Sequence, residues 1–417
     1  MASGRSGLVT LATAVSSFVC LSLLMTLRVF ARLARFRFRF PTLREWNGPE
    51  PATWPKLSVI VPSRNEGIAI EQATRSLLAQ NYPNLEVVAI DDRSDDQTGA
   101  ILDALAREDS RLTVVHVTSL PGGWLGKNNA THQGASRASG DWLLFTDGDV
   151  IFEKDAMRRS VSFALAHGLG HFVALPHFLA EGFLERAFVS TFLLNFTSAL
   201  DLTRLHVAKT FAFLGVGAFG LVRRDAYDAI GGHRRLAFEV ADDVKLGLLL
   251  RRHGVPQGCL DSDALVRVRW QNGFVATLRG LEKNAFAGFE WHGGLAAIVI
   301  VFAFSENLVP YAALLMAMPF WVKVIAASVI SLRGLMVAAA ARRTARGKGL
   351  EGLAMPLTTF LFPCVIAWST LLTLARGGVT WRGTFYPLRD LRARCVKVLS
   401  FSAATGVGWT PPKPPLR

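Results

Sequence analysis

Short apolar runs alternate with helical patterns between about Trp54 and Trp291. Each run is rich in β-branched residues, which is typical of a buried strand, and the segments between the runs repeat apolar residues at helical spacing. Strands that alternate with helices imply right-handed crossovers and a parallel sheet, so the chain is predicted to be an α/β protein. The predicted strands are 57–62, 85–92, 112–117 and 142–149, and the predicted helices are 68–80, 99–109 and 128–139.

A longer apolar run near the N-terminal end predicts a membrane anchor. No charged residue occurs from Leu8 to Leu27, and several arginines follow between Arg28 and Arg39. A run of about 20 residues is long enough to span a bilayer, whereas a cleavable signal peptide has a shorter apolar region and a basic start. We therefore expect an anchor here, with a signal peptide as the alternative.

Three further apolar stretches, at about 295–318, 319–341 and 353–375, predict membrane-associated helices. Three full passes would place the basic tail opposite the soluble block, whereas the positive-inside rule favours the cytosol for the tail. Pro356 and Pro363 favour a re-entrant or interfacial hairpin in the last stretch, which would resolve this conflict. The expected domains are an N-terminal anchor (1–30), a soluble domain (54–292), C-terminal membrane helices (295–375) and a basic tail (376–417).

The composition agrees with a protein that combines a soluble domain with membrane segments. Of the 417 residues 51% are hydrophobic, and the formal net charge is +14. The arginines cluster beside the apolar stretches, which favours anionic lipid headgroups over nucleic acid as their partner. The four cysteines form no CxxC pair, so the sequence predicts neither a disulfide framework nor a zinc site.

Acidic residues follow three of the predicted strands. Asp147 and Asp149, in the motif TDGD, end the fourth strand, and Asp91 and Asp92 end the second. In a parallel sheet the strand ends share one edge, where ligands bind. Two neighbouring carboxylates suit magnesium, which takes its other ligands from water and substrate phosphates, although a solvated acidic turn is the alternative. The end of the first strand adds Pro62, Ser63, Arg64, Asn65 and Glu66 to this edge.

Five motifs in this block resemble those of a known family. SVIVPSRNE, VVAIDDRSDDQT, GDWLLFTDGD, GAFGLVRRDAYDAIGGH and ADDVKLGLLLRRHG occur in this order across roughly 57–290. They are similar to the motifs of the inverting glycosyltransferases of family 2. The resemblance implies the GT-A fold, a Rossmann-like, mixed and mainly parallel sheet flanked by helices. GWLGKNNA, VTWRGTFYP and the membrane segments resemble the lipid-glycosylating branch, which includes hopanoid-associated, carotenoid and ceramide glycosyltransferases.

The resemblance also implies roles in binding a nucleotide-sugar donor. Asp92 would contact the base or ribose, helped by Asp91 and Glu66, and the alternative for these residues is a turn cap. Asp149, helped by Asp147, would hold a divalent cation, Mg²⁺ or Mn²⁺, on the diphosphate. Lys127, in GWLGKNNA, would lie near the same phosphates as a point charge, with a solvated lysine as the alternative. Pro62 and Arg64 complete the expected donor site.

A general base is expected from the ADD motif. Family members have Glu-Asp at this place, so the resemblance assigns the base to Asp243, with Asp242 in a supporting role. An acceptor hydroxyl must lose its proton as it attacks the anomeric carbon, which requires such a base. An Asp pKa is ordinarily near 3.9, so burial must raise it for this task. Two acidic residues that begin a helix and favour its dipole are the structural alternative.

The run VRVRW corresponds to the Gln-x-x-Arg-Trp motif of processive and ceramide-type members. Arg269 and Trp270 are retained, but Val266 stands in place of the glutamine, which disfavours synthesis of a long polymer. Arg267 and Arg269 are candidates for contacts to phosphate or acceptor, and an edge strand of alternating valine and arginine is the alternative.

Three other features have open interpretations. The small residues of GVGAF, 215–219, permit close backbone approach to a sugar. His233 is expected to pack in the core. The aromatic segment 183–196 is expected to be a helix, either buried in the core or dipping toward the membrane.

These observations predict a membrane-bound glycosyltransferase. It would move a sugar from a nucleotide-sugar donor, UDP-linked by expectation, to a hydroxyl of a lipid acceptor by a single inverting, metal-dependent displacement on the cytosolic side. Three alternatives are a processive polysaccharide synthase, a metal-dependent nucleotidyltransferase and a non-catalytic membrane scaffold. The nucleotidyltransferase requires a phosphate-gripping loop near the first strand, where the sequence has SRNEG instead.

Overall fold

The computed structural model describes residues 2–207 and 210–398, so the predicted tail beyond 398 lies outside the described residues. The chain divides into two compact units. The sheet unit comprises 39–178, 200–269 and the described residues from 390 onward, and the helical unit comprises the described residues up to 38, 179–199 and 270–389. This division differs from the expected soluble domain 54–292, because 179–199 and 270–292 group with the apolar helices.

The regular elements are numbered here in chain order. The strands are β1 (Leu57–Ser63), β2 (Leu85–Asp92), β3 (Leu112–Val117), β4 (Trp142–Phe145), β5 (Ile151–Phe152), β6 (His171–Leu175), β7 (His177–Phe178), β8 (Gly220–Arg223), β9 (Gln257–Asp261), β10 (Val266–Val268), β11 (Gly378–Trp381) and β12 (Thr384–Pro387). The helices are α1 (Ala2–Arg39), α2 (Ile70–Leu78), α3 (Thr98–Glu108), α4 (Gly126–Arg137), α5 (Ala156–Ala166), α6 (Phe183–Ala199), α7 (Arg224–Ala229), α8 (Asp242–Arg252), α9 (Phe274–Gly280), α10 (Glu282–Ala287), α11 (Gly293–Leu315), α12 (Phe320–Thr344), α13 (Met355–Arg376) and α14 (Leu388–Arg394).

A seven-stranded sheet with the order β3-β2-β1-β4-β8-β6-β9 forms the centre of the sheet unit. The first four strands are parallel, β8 runs antiparallel to β4 and β6, and β6 pairs in parallel with β9. Side chains of β1 and β2 alternate between two cores, since Val59 and Val87 lie in one cluster and Ile60 and Val88 in the other. Burial of both faces explains the unbroken apolar runs. The predicted α/β fold with a mixed, mainly parallel sheet is confirmed.

A second, three-stranded sheet has the order β5-β10-β7. Its middle strand, β10, contains the first three residues of VRVRW. Arg267 pairs with Ile151 of β5 on one side and with His177 of β7 on the other. The interpretation of this run as an edge strand is therefore wrong, because both of its edges are hydrogen-bonded.

Four helices of the helical unit are long and apolar enough to cross a membrane. They are α1, α11, α12 and α13, and the last of these spans includes the 3-10 turn Leu350–Ala354 that precedes α13. The four helices overlap the four predicted apolar stretches. The last stretch is one continuous helix, so the expected hairpin at Pro356 and Pro363 is not formed. Pro356 lies in the first turn, where its missing N–H group would have had no helical partner, and Pro363 is accommodated inside the helix. The aromatic segment predicted as a helix is α6, which packs against α12 and α13.

A polar cluster joins α1, α11 and α12 within the helical unit. The Arg333 guanidinium forms an ion pair with the carboxylate of Glu306. It also donates to Ser22 Oγ at 2.9 Å and to Thr26 Oγ1 at 3.1 Å, and Ser22 Oγ donates to Glu306 at 3.0 Å. Interhelical hydrogen bonds hold apolar helices together where the hydrophobic effect between helices is weak. Glu306 and Arg333 thus have a structural role in this unit.

We expect Arg333→Met to destabilise the protein by about 3 kcal/mol, because it leaves the buried Glu306 carboxylate without its partner. The double variant Arg333→Met/Glu306→Leu should recover most of this loss, since no unpaired charge remains. Unfolding of the detergent-solubilised protein measures both. Lys323→Met is the matched control, because Lys323 lies in the same helix and forms no ion pair with the described residues. A double variant that is less stable than Arg333→Met would contradict the assignment.

Candidate functional site

The loops after β1 and β2 are fastened together by hydrogen bonds. Asn65 N donates to Ser94 Oγ at 3.1 Å, and Asp95 N donates to Asn65 Oδ1 at 2.8 Å. Gly67 N donates to Asp96 Oδ2 at 2.9 Å. These hydrogen bonds join the loops SRNEG and DDRSDD into one rim at the carboxyl edge of the sheet. The pattern of apolar residues in the sequence does not predict these bonds.

Lys127 is an ionic bridge between two of the predicted acidic motifs. Its Nζ atom lies 2.8 Å from Asp147 Oδ1 and 3.7 Å from Asp242 Oδ1. Burial acts to lower the pKa of Lys127, but attraction by Asp147, Asp242 and Asp243 outweighs it and holds the pKa above its ordinary value. Lys127 is therefore charged at any physiological pH. The alternative interpretation of Lys127 as a solvated lysine does not hold, because its side chain is largely buried.

Two glycines of GVGAF bring the carboxylates close to this lysine. A Cβ atom added to Gly215 would lie 1.7 Å from the carbonyl oxygen of Asp243. A Cβ atom added to Gly217 would lie 2.8 Å from Asp147 Oδ2 and 3.5 Å from both Asp243 Oδ2 and Lys127 Nζ. The small residues thus permit close approach of the start of α8 and leave an open space among three charged groups.

Two of the aspartates have raised pKa values. Burial, with the negative charges of Asp147 and Glu66, raises the pKa of Asp149 to about 7. Burial and the neighbouring charge of Asp242 raise the pKa of Asp243 as well, although Lys127 opposes the shift. Both shifts have the direction expected where like charges crowd together, and such crowding is frequent at functional sites.

A cavity of about 390 Å³, including the part open to solvent, lies at this point of the sheet unit. Its lining includes five of the predicted site residues, which are Pro62, Lys127, Asp147, Asp242 and Asp243. Other predicted residues lie outside this lining, namely Arg64, Glu66, Asp91, Asp92, Asp149, Arg267 and Arg269.

The cavity also has lining residues that sequence reasoning did not assign to the site. Thr131 lies one turn after Lys127 on α4, and His171 and His233 are both buried. His233 forms a hydrogen bond of 2.8 Å with Tyr227 through Nδ1, and burial lowers its pKa to about 3. It is packed as expected but also faces the cavity. The i+4 spacing from Lys127 is the signal that would have pointed to Thr131.

Asp91 and Asp92 already have partners in the structure. Both oxygens of Asp92 accept hydrogen bonds from Arg93, at 2.8 and 3.0 Å, and Asp92 is only 1% exposed. Asp91 Oδ2 lies 3.1 Å from His116 Nδ1, and its Oδ1 accepts from Ser94 N at 3.3 Å. Asp91 is the more accessible of the two. Their role in nucleoside binding stays a prediction.

The remaining predicted contact residues have different surroundings. Arg267 Nη2 lies 3.2 Å from Glu153 Oε1, which occupies the guanidinium in part. Arg64 is half-buried and has no hydrogen bond or ion pair with the residues that the structure describes. Trp270 belongs to the helical unit, where it packs on Phe192 with a ring-centroid distance of 4.5 Å. Arg64 is thus the best placed of these to accept a new anionic partner.

The donor set at this edge suits a divalent cation whose other ligands come from a substrate. Within the described residues no three acidic, histidine or cysteine side chains are arranged to hold a metal by themselves. Asp147 and Asp149 are nevertheless close enough to raise the pKa of Asp149, which a bound dication would reverse. Magnesium commonly binds one or two carboxylates together with water and phosphate oxygens. The two aspartates therefore fit the expected metal.

The mixed, mainly parallel sheet with flanking helices has the GT-A fold. A solved structure of a Pyrobaculum calidifontis mannosyltransferase, PcManGT, in complex with GDP-Man and Mn²⁺ has this fold, with a TM-score of 0.53 and 18% identity over 88% of this chain and 98% of that one. The model of the family "Glycosyl transferase family 2" matches residues 58–231. Residues 58–231 therefore form a domain of that family.

A curated relative has a similar sequence over about half of this chain. The 4,4'-diaponeurosporenoate glycosyltransferase of Staphylococcus aureus is 27% identical over 243 residues. The alignment covers 56% of this chain and 61% of the relative. This similarity joins the protein to an enzyme whose name denotes glycosylation of a carotenoid acid.

We expect Lys127→Met to destabilise the sheet unit by about 2 kcal/mol at pH 8 and by less at pH 5. Without the cation, the pKa of Asp243, whose rise Lys127 opposes, lies further above its unfolded value. The loss therefore appears as pH rises through this folded pKa, and it fades as the carboxylate becomes protonated. Thermal unfolding at several pH values, without metal, measures it. Lys154→Met, at an exposed lysine, is the control, and a loss independent of pH would contradict this explanation.

Proposed function

We propose that the protein transfers a sugar from a nucleotide-sugar donor to a hydroxyl group of a lipid acceptor, with inversion at the anomeric carbon and with a divalent cation. The observation that carries this proposal is the charged cluster in which Lys127 contacts Asp147 and lies beside Asp242 and Asp243. Its members are a fixed cation, a candidate metal ligand and a candidate base, and all of them line one cavity. Inverting transfer from a diphosphate uses a base for the acceptor and positive charge for the leaving group.

The donor diphosphate is assigned to the acidic edge with Lys127. Asp149 and Asp147 would hold Mg²⁺ or Mn²⁺, which when bound neutralises the diphosphate and acts as a Lewis acid on the leaving group. Lys127 lies in the cavity as a second, permanent positive charge for the same phosphates. Asp91, Asp92 and the rim loops are assigned to the nucleoside. The solved mannosyltransferase carries GDP-Man and Mn²⁺, which supports a nucleotide sugar and a dication without deciding between UDP and GDP.

Asp243 is assigned the role of general base. It lines the cavity, and burial beside Asp242 raises its pKa, so it accepts a proton more readily than an ordinary aspartate. Lys127 opposes this shift and so favours the ionised form of Asp243, which is the form that acts as a base. A positioned base of this kind contributes about 10²–10⁴-fold to the rate.

A lipid acceptor is supported by two independent features. Four helices are long and apolar enough to span a membrane, so an acceptor held in the bilayer is within reach of a membrane-bound enzyme. The relative from Staphylococcus aureus is named for a carotenoid acid, a lipid-like acceptor. The arginines directly after the first apolar stretch favour a cytosolic sheet unit by the positive-inside rule, and a multi-pass arrangement is proposed with it.

The proposal is tested with sealed vesicles from cells that express the protein. Inverted and right-side-out vesicles are incubated with radiolabelled UDP- and GDP-sugars and Mn²⁺, then extracted with organic solvent. We expect lipid-soluble label from at least one donor, with inverted vesicles only, because nucleotide sugars do not cross a bilayer. Asp149→Asn and metal chelation should each lower the labelling at least about tenfold.

Each other outcome of this experiment has a definite meaning. Absence of lipid label with all donors contradicts the proposed transfer, and a labelled water-soluble polymer would favour a polysaccharide synthase. Label from intact right-side-out vesicles would reverse the orientation. Full activity of Asp149→Asn would remove that residue from the metal site.

Asp243→Asn should reduce turnover at saturating donor by about 10²–10⁴-fold, or roughly 3–5 kcal/mol of barrier, because the acceptor hydroxyl loses its base. Donor binding should change little, since the base does not contact the diphosphate. Asp242→Asn should reduce turnover less, because asparagine still caps a helix and such a contact contributes only about 1 kcal/mol. The comparison uses turnover rates of both variants. A slower Asp242→Asn enzyme would move the base to Asp242.

A further inference from the structure

The described end of the chain returns to the sheet unit after the apolar helices. Residues 390–398, called the strap below, belong to that unit. Val396 packs against the core cluster that includes Leu246, Leu249 and Leu250 of α8. The helix that begins with the Asp242–Asp243 pair therefore has the strap as one of its packing partners.

The backbone of Val396 forms hydrogen bonds with one residue before the Asp242–Asp243 pair and one residue after it. Its N–H group donates to Glu239 Oε1, and its carbonyl oxygen accepts from Lys245 Nζ. Glu239 precedes the pair and Lys245 follows it, and their exposures are only 4% and 6%. Two buried charged side chains that flank the proposed base thus use the strap as a hydrogen-bond partner, and a buried charged group without a partner is unfavourable.

Further contacts extend the strap along both ends of α8. The guanidinium of Arg394 lies over the ring of Phe238, 5.0 Å from its centroid. At the other end, Arg252 Nη2 donates to the carbonyl oxygen of Val398 at 2.8 Å. The strap therefore fixes the start and the end of the helix rather than a single point.

The segment before α8, residues 236–241, is called the base loop below. Leu125 and helix α4, which follows it, hold the other side of the base loop. Leu125 N donates to Ala237 O at 2.7 Å, and Asn128 Nδ2 donates to Glu239 O at 2.8 Å. Asn128 is fully buried and follows Lys127 directly. The base loop is thus held between the element that carries Lys127 and the strap, so both are in a position to set the distance between Lys127 and Asp243.

We infer that the strap is a positioning element that holds Asp243 in its place for proton abstraction, with Val396, Glu239 and Lys245 as the positioning residues. The inference rests on the proposed function for its effect on turnover, but its structural part does not. Removal of the strap leaves Glu239 and Lys245 each without one buried partner, and the base loop then moves relative to Lys127. A small misplacement of a catalytic group lowers the rate by about 10²-fold even when substrate binding is retained.

The test compares two shortened chains, one ending after Val398 and one ending after Arg394. Both lack the residues beyond 398, so they differ only in Cys395, Val396, Lys397 and Val398. Hydrogen–deuterium exchange of the amides from 236 to 245 measures the base loop without any need for activity. We expect exchange in the shorter chain to be faster by at least about tenfold, and that of the longer chain to match the full protein.

Kinetics then separate positioning from general damage. Turnover of the shorter chain at saturating donor should fall about 10- to 100-fold, while its affinity for UDP or GDP with Mn²⁺, whichever the full protein binds, changes by less than about threefold. Equal exchange and equal turnover in the two chains would overturn the inference. Loss of nucleotide affinity together with turnover would also overturn it, because the strap would then support the whole unit. If the full protein transfers no sugar, the proposed function fails, and the exchange measurement still decides whether the strap holds the base loop.

A pair of substitutions at Glu239 tests the same contact without shortening the chain. Glu239→Gln keeps an oxygen that accepts from Val396 N–H, and Glu239→Leu removes it. We expect Glu239→Gln to retain most of the turnover and the slow exchange, and Glu239→Leu to behave like the chain that ends after Arg394. This pair decides the question if the shorter chain does not fold. Identical behaviour of the two variants would contradict the positioning role.

Discussion

The charge balance at the carboxyl edge of the sheet is the constraint on which the site depends. Asp147, Asp149, Asp242 and Asp243 lie near one another, and burial of the last three removes much of the water that would screen them. Lys127 contacts two of them and offsets part of the repulsion. The proposed nucleotide diphosphate would add further negative charge, and the proposed dication would offset it. The charge balance thus supports the proposal of a dication together with the motif TDGD.

Glycine makes this crowding possible through backbone contacts. Gly215 allows the chain before β8 to touch the carbonyl group of Asp243, and Gly247 of α8 approaches the carbonyl group of Leu214, since an added Cβ would lie 2.0 Å from it. Contacts between backbones are stiffer than contacts between flexible side chains. The position of Asp243 is thus set by the packing of α8 on residues 214–217, and Lys127 is then brought to it by α4.

The central sheet could be predicted from the sequence because its local signals agree. Strands β1, β2 and β4 are buried on both faces, helical patterns separate the predicted strands, and the acidic residues after them fall on one edge by topology alone. The identity of the residues in the cavity was predictable only in part. Asp92 pairs with its own neighbour Arg93, and no periodic pattern distinguishes a carboxylate that faces a ligand from one that faces an arginine.

Long-range pairing accounts for what the sequence did not reveal. Residues 266–268 alternate like an edge strand, but β5 and β7 cover both of their sides, and these partners lie about a hundred residues earlier. Pro356 and Pro363 favour a hairpin within their apolar stretch by local propensity, but α13 is one continuous helix. The return of the strap to α8 likewise depends on Glu239 and Lys245, more than 150 residues before it. In each case tertiary contacts decide between conformations that local propensity leaves nearly equal.

The choice of lysine at position 127 follows from the geometry of its partners. An arginine presents a planar fork that suits one carboxylate, whereas an ammonium group has three donors that rotate about the end of a flexible chain. Lys127 contacts Asp147 at 2.8 Å and Asp242 at the longer distance of 3.7 Å, so its charge is shared unequally between the two motifs. In the proposed function, a dication bound to Asp147 would leave this ammonium able to turn toward the phosphate oxygens of the donor within the cavity. The cation that stabilises the acidic edge would then also be available to the donor.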